Sequence, residues 1–210
     1  MTGTELETPV VIVIDDDPMV RRALDSLFRS IGLATTLYES ATAFLADQPS
    51  SRVSCIITDV RMPGVSGLDF QKALTAQGVT TPVIVITGHG DVPMSVGAMK
   101  AGAVDFLTKP FRDQDLIDAV NEALDRDRRT RERAGDVAGV EARYAQLTPR
   151  ERQVMDLVVG GLMNKQAAAE LGLSEVTVKL HRSSLMRKMQ VHTVADLVRL
   201  SQDLTPKARA

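Results

Sequence analysis

Cys55-Ile56-Ile57-Thr58-Asp59-Val60-Arg61-Met62-Pro63-Gly64 is an apolar run that delivers one carboxylate, Asp59, before a Pro-Gly pair turns the chain away. A β-branched run without alternation suits a strand covered on both faces, as in a parallel sheet. A lone acid at the C-terminal end of such a strand stands where open α/β sheets place their chemistry.

Other runs share that character. Residues 10–14 (Val-Val-Ile-Val-Ile) lead into Asp15-Asp16-Asp17, 33–38 make a weaker strand, 82–87 end at Thr87, and 103–108 stop just before Lys109-Pro110-Phe111. Helical spacing fills the intervals. After Pro18, Val20, Leu24, Leu27, Phe28 and Ile31 recur on one face, and Gly32 stops the helix. Ser40 can cap a helix carrying Phe44 and Leu45, and Ser66 or Gly67 opens one with Leu68, Phe70 and Leu74. Further helices are predicted over 92–101 and 113–124. Alternation of this kind predicts an α/β domain, a doubly wound parallel sheet of five strands and five helices with helices on both sides.

The net charge of −2 over 210 residues hides an asymmetry. Residues 1–124 carry 9 Lys+Arg against 16 Asp+Glu, and residues 125–210 carry 16 against 11. An acidic half joined to a basic half predicts two domains with different partners, the basic one suited to nucleic acid. Cys55 is the single cysteine, which excludes an intrachain disulfide. With so few histidines besides, no zinc-ligand spacing exists; His181 falls on an inward stripe, and His89 and His192 stand alone in loops. No apolar stretch approaches the roughly 18 residues a bilayer span needs. Residues 1–9 lack the pattern of a signal peptide, so a cytoplasmic protein without a membrane role is expected.

Residues 125–146 hold six arginines and five acids, interrupted by Gly135 and Gly139. They are expected to be a solvated linker, either flexible or an extension of the preceding helix. Beyond them four short helices and no strand can be drawn. Thr148-Pro149-Arg150-Glu151 is a helix start with a capping box. Helices over 164–171 and 175–189, joined by a short turn at Gly172, have the helix-turn-helix arrangement, and a final helix runs over 193–204. On the second helix of the pair, Val178, His181, Leu185 and Met189 form an inward stripe. Val176, Lys179, Leu180, Ser183 and Arg187 face the other way. A face with Lys179 and Ser183, flanked by Thr177 and Arg182, suits a major groove. Lys179 can read guanine edges while Thr177 and Arg182 bind phosphates.

Asp15 and Asp16, Asp59, Thr87 and Lys109 all fall at strand ends on the carboxyl edge of the predicted sheet, around the crevice where strand order reverses. Carboxylates gathered there repel one another unless a cation joins them. Mg²⁺ suits one or two carboxylates plus phosphate oxygens, and the Lys109 ammonium adds positive charge. The constellation fits a phosphoryl-accepting aspartate, with Asp59 as nucleophile and Thr87 donating to a phosphate oxygen. Simple capping of the next helix by Asp15–Asp17 explains one acid but not three separate strand ends finishing in polar groups.

Asp15-Asp16, Asp59 with Met62-Pro63-Gly64, Thr87 and Lys109-Pro110 resemble the receiver domain of two-component response regulators across residues 9–124. That resemblance implies a (βα)5 fold with Asp59 as phosphoacceptor. Mg²⁺ would be held by Asp15, Asp16, Asp59 and the Arg61 carbonyl, with Asp15 acting through water. Thr87 and Lys109 would act at the phosphoryl group, with Thr87 and Phe106 as switch residues and a cis Lys109-Pro110 peptide. Leu147-Thr148-Pro149-Arg150-Glu151-Arg152, Gly161-Leu162-Met163-Asn164-Lys165 and Glu175-Val176-Thr177-Val178-Lys179-Leu180-His181-Arg182 resemble the LuxR-type DNA-binding domain, over 147–204. By carry-over Thr177, Lys179, Leu180, Arg182, Ser183 and Arg187 are its DNA-contact candidates, and the last helix is its expected dimer contact.

The whole chain is similar to the FixJ-like branch of the NarL/FixJ family. Gly88-His89-Gly90-Asp91-Val92-Pro93-Met94 and Ala98-Met99-Lys100-Ala101-Gly102-Ala103 are similar to that branch in particular. The implied function is a DNA-binding regulator rather than an enzyme. Its expected partners are a sensor histidine kinase, promoter DNA, RNA polymerase and a second copy of the chain after phosphorylation, and its expected output is activation of transcription. Residues 1–8, 125–146 and 205–210 are left as an N-terminal tail, a linker and a C-terminal tail. Two alternatives use the same residues: a phosphatase-like enzyme with Asp15 as nucleophile and Asp17 as acid/base, or an interaction protein whose basic half binds protein.

Overall fold

Val and Ile fill the strands because alternate residues of each run are covered on opposite faces. The computed structural model describes residues 8–47, 52–88 and 90–204. β1 (Val10–Ile14), α1 (Pro18–Ser30), β2 (Ala34–Tyr38), α2 (Ala41–Ala46), β3 (Ser54–Asp59), α3 (Gly67–Ala76), β4 (Val83–Thr87), α4 (Val92–Lys100), β5 (Asp105–Thr108) and α5 (Asp113–Ala145) follow one another. The strands pair in parallel in the order β2-β1-β3-β4-β5. This is the expected doubly wound sheet, with its order reversing between β1 and β3. Four helices come after it: α6 (Pro149–Val159), α7 (Asn164–Leu171), α8 (Glu175–Lys188) and α9 (Val194–Gln202). The chain divides into two compact units between Arg131 and Glu132.

In the first unit Val10, Ile12, Ile14, Ile56 and Val85 turn to one face, against Phe44, Phe70, Leu74 and Ala98 of α2, α3 and α4. Their neighbours Val11, Val13, Cys55, Ile57, Ile84 and Ile86 turn to the other, against Leu24 and Phe28 of α1 and Leu116 and Val120 of α5. Helix starts follow the local chemistry. Asp17, Ser40, Ser66 and Asp91 cap α1, α2, α3 and α4 through their side chains. The second unit has a separate core in which Val154, Met155, Val178, Leu185, Met189 and Leu197 are buried.

Most element ends lie within a residue or two of those expected, which is ordinary fraying. The charged segment takes the helical of the two forms expected rather than the flexible one, with α5 continuing through it to Ala145. Ion pairs Asp125–Arg128 and Asp127–Arg131 run along it at helical spacing. Nor is that segment solvated throughout, because Asp127 is 1% exposed. Residues 1–7 and 205–210 of the expected tails, and His89 of the β4–α4 loop, lie outside the described residues.

Candidate functional site

β1 and β3 flank the point where strand order reverses, so Asp15 just past β1 and Asp59 at the end of β3 become neighbours. Lys109, just after β5, reaches both: its Nζ donates to Asp59 Oδ2 at 2.7 Å and to Asp15 Oδ2 at 2.9 Å. Asp15 is 1% exposed and Asp59 9%. The remaining oxygens are oriented by backbone. Arg61 N donates to Asp59 Oδ1 at 2.9 Å, and Asp17 N donates to Asp15 Oδ1 at 2.9 Å. Burial alone would pull the Lys109 ammonium down; hydrogen bonds to Asp59 and then Asp15 outweigh it and hold the group above its usual value.

The three acids after β1 have three different surroundings. Asp15 turns inward, Asp16 is exposed, and Asp17 accepts from Met19 N at 2.8 Å as the cap of α1. A phosphatase-like pair therefore finds no support: Asp17, its acid/base, is turned outward and serves the helix as its cap. Among the described residues no three His, Cys, Asp or Glu side chains form a ready metal-holding group. The pocket nevertheless pairs two nearly buried carboxylates with a single ammonium. An excess of hard, negative oxygen donors of this kind fits Mg²⁺, which keeps several waters and needs only one or two carboxylates.

Thr87 is fully buried at the end of β4, whose Ile86 pairs with Asp59. Its carbonyl accepts Lys109 N at 2.7 Å, so β4 and β5 hold the threonine and the lysine side by side. The Lys109-Pro110 peptide is cis. Phe106 is half-buried, with its ring against the loop before α4. A Cβ on Gly90 would lie 2.9 Å from Phe106 Cε1 and 2.7 Å from Thr108 Cγ2. On the other side of the pocket, a Cβ on Gly67 would lie 2.3 Å from the Asp59 carbonyl oxygen, so only glycine lets α3 start there. Neither glycine stood out in the sequence as a site residue, because close backbone approach leaves no spacing signal.

In the second unit Gly172, with φ of 63°, turns the chain from α7 into α8, and Ser174 caps α8. Val178, Leu185 and Met189 are fully buried and His181 is half-buried, which is the inward stripe expected. Val176, Lys179, Leu180, Ser183 and Arg187 are all exposed. The two flanking residues have partners of their own. Thr177 Oγ1 lies 2.8 Å from Ser174 Oγ, and Arg182 Nη1 donates to Asn164 Oδ1 at 2.8 Å, tying α8 to the start of α7.

Glu151 also does more than its capping box requires. It accepts Thr148 N at 2.8 Å and Lys188 Nζ, from the end of α8, at 2.7 Å. Burial alone would raise its carboxyl, but hydrogen bonds from Lys188, Ser184 and Thr148 bring it down to about 2. The roles of Lys188 and Asn164 were not visible in the sequence, because each depends on a helix crossing.

An aspartate-lysine pocket at the switch point of a (βα)5 sheet, followed by a helix-turn-helix unit, defines a two-domain receiver and DNA-binding regulator. Residues 11–121 match the response regulator receiver domain, and residues 145–201 match the luxR family of bacterial regulatory proteins. The chain is 52% identical to nodulation protein W of Bradyrhizobium diazoefficiens over 96% of its own length and 89% of that protein's. It is 48% identical to the transcriptional regulatory protein FixJ of Azorhizobium caulinodans, covering 93% of this chain and 92% of that one. The solved structure of response regulator StyR matches with a TM-score of 0.85 at 44% identity, over 93% of this chain and 98% of that one. The chain belongs to the NarL/FixJ family of two-component response regulators. It is a transcription regulator with a receiver domain and a LuxR-type DNA-binding domain, not an enzyme. No helix among the described residues is long and apolar enough to cross a membrane.

Proposed function

We propose that Asp59 accepts a phosphoryl group from the phosphohistidine of a sensor kinase, and that this controls dimerisation and promoter binding. The observation that carries the reading is the single ammonium of Lys109 shared between Asp15 and Asp59 at 2.9 and 2.7 Å. An Asp59 carboxylate oxygen attacks phosphorus, the P–N bond to the histidine breaks, and the imidazole leaves with its electron pair and takes up a proton. The Arg61 N–H fixes the carboxylate during attack, while Lys109 offsets charge on the phosphoryl oxygens. Asp16, Asp59 and the Arg61 carbonyl, with Asp15 through water, would hold Mg²⁺, which when bound neutralises phosphoryl charge.

The acyl phosphate places a group of charge about −1.5 to −2 beside Thr87, in exchange for the single charge of the Asp59 carboxylate. Thr87 then donates to a phosphoryl oxygen, and Phe106, packed against Gly90, follows. That reshapes α4 and β5. Val92, Val96 and Met99 form an exposed apolar stripe on α4, which supports this face as the dimer contact. Paired second units then present two α8 helices to a promoter, with Thr177, Lys179, Leu180, Arg182, Ser183 and Arg187 as contacts, and transcription is activated through RNA polymerase in the cytoplasm.

The test is incubation with acetyl phosphate and Mg²⁺. Wild type should gain one phosphoryl group by mass, dimerise and bind duplex DNA more tightly. Asp59→Asn should do none of these. A variant that still gains the group and dimerises overturns the assignment.

A further inference from the structure

We infer that Val176 and Leu180 form an apolar reading edge on α8 that selects thymine C5-methyl groups in the operator; this rests on the DNA-contacting face proposed above. The two side chains are 69% and 67% exposed. The core beneath them is complete without them, since Val178 and Leu185 of the same helix, and Met189 just past its end, are fully buried. Packing therefore gives no reason for large aliphatic groups at these positions. Being four residues apart, they lie one turn above the other on a single face, with Cβ atoms about 6 Å apart. Exposed Lys179, Ser183 and Arg187 share that side of the helix, so the apolar pair is set among cationic and polar groups suited to a polyanion.

The major groove offers such a pair only one apolar partner. Every base-pair edge there consists of hydrogen-bond donors and acceptors, except for the methyl of thymine. An aliphatic side chain pressed on a cytosine or guanine edge strips water from polar atoms and returns nothing, which penalises the wrong base. On a thymine it buries a methyl. With about 3.4 Å between successive bases along a strand, the 6 Å pair spans about two base steps. The half-site should therefore carry two thymines within two steps of each other, next to the position read by Lys179.

The test selects half-sites with the full chain, treated with acetyl phosphate and Mg²⁺, from a pool of random-sequence duplexes at low salt, then replaces each thymine in turn by uracil, which removes only the methyl. Two neighbouring replacements should each weaken wild-type binding about fourfold. Val176→Ala should lose one of these penalties and Leu180→Ala the other, with the salt dependence unchanged. The uracil series needs only wild-type protein, so it stands even if a variant folds poorly. Sequence-selective binding with no uracil penalty at any thymine, or penalties that persist in both variants, overturns the inference while leaving the α8 reading intact. Absence of any selected sequence and of salt-dependent binding overturns the α8 reading and the inference with it.

Discussion

The carboxylate of Asp127, on α5, accepts the backbone N–H of Ser54 at 2.9 Å and so joins positions 73 residues apart at the first residue of β3. The same oxygen receives Arg131 Nε at 2.5 Å, and the aspartate is 1% exposed. The strand that carries Asp59 at one end is thus held at the other by a side chain from the charged segment. Asp127→Ala leaves a buried N–H without its acceptor and should cost about 2–3 kcal/mol in the urea transition of the first unit. Asp127→Asn keeps an acceptor and should recover part of that. Burial, and then the Asp127 charge, push the neighbouring Cys55 thiol up, so the native chain should resist thiol reagents and Asp127→Ala should react faster. Equal stability of the alanine variant and wild type would show the bond to be incidental.

Replacing Lys109 by Met removes the one cation shared by Asp15 and Asp59. Because Lys109 is 24% exposed and Asp15 only 1%, the loss should be about 2 kcal/mol, below that of a fully buried pair. Phosphoryl transfer from acetyl phosphate should slow about a hundredfold, as when one preorganised charge-stabilising donor is removed. Added Mg²⁺ should raise the variant's melting temperature more than the wild type's, since it then relieves a repulsion that Lys109 no longer shares. An identical Mg²⁺ effect in both proteins would argue against these carboxylates as its ligands.

Local chemistry made most of this architecture legible in the sequence. The apolar strands, Asp17 and Ser66 as caps, and the capping box at Thr148 each rest on residues within a few positions of one another. Asp59, Thr87 and Lys109 could be brought together because a parallel sheet places strand ends side by side. The choice between a flexible linker and a continued α5 was not legible, since Gly135 and Gly139 weaken a helix by about 1 kcal/mol each. The groups that offset them, Asp127 at Ser54 and the buried Val140 and Tyr144, act through tertiary contacts. The same holds for Asp16, whose exposure no local pattern distinguishes from the inward turn of Asp15.

The Glu151–Lys188 pair should make the second unit acid-sensitive. The Glu151 carboxyl titrates near 2 in the folded chain against an ordinary 4.5, so its stabilising contribution is complete above about pH 4.5 and disappears as pH falls toward 2. The melting temperature of this unit should decline through that window, and Glu151→Gln should flatten the decline. At neutral pH the variant should lose about 2 kcal/mol, because a neutral amide then faces the Lys188 ammonium, whose other acceptor is the Gln146 carbonyl at 3.2 Å. Duplex binding should weaken too, as Lys188 anchors the end of α8 to α6. A wild-type acid transition matched by the glutamine variant would assign the sensitivity to other groups.

Arg182 is the contact candidate whose surroundings argue for a second task. Its Nη1 donates to Asn164 Oδ1 at 2.8 Å, bridging the helices of the helix-turn-helix pair, while its other N–H groups can still reach a phosphate. If the arginine acts only on DNA, Asn164→Ala leaves affinity untouched. If it must be aimed by Asn164, each single alanine variant weakens duplex binding, and the double variant is little worse than Arg182→Ala alone. The second pattern is expected, with a coupling of about 1 kcal/mol in a double-mutant cycle. Stability should show a smaller coupling, since one hydrogen bond between partly exposed groups contributes about 0.5–1 kcal/mol. Arg182→Lys separates charge from geometry: it keeps the positive charge but loses the planar fork, so binding should fall even though the salt slope stays unchanged. Strict additivity of Asn164→Ala and Arg182→Ala in binding would make the bridge a bystander and return Arg182 to a plain phosphate contact.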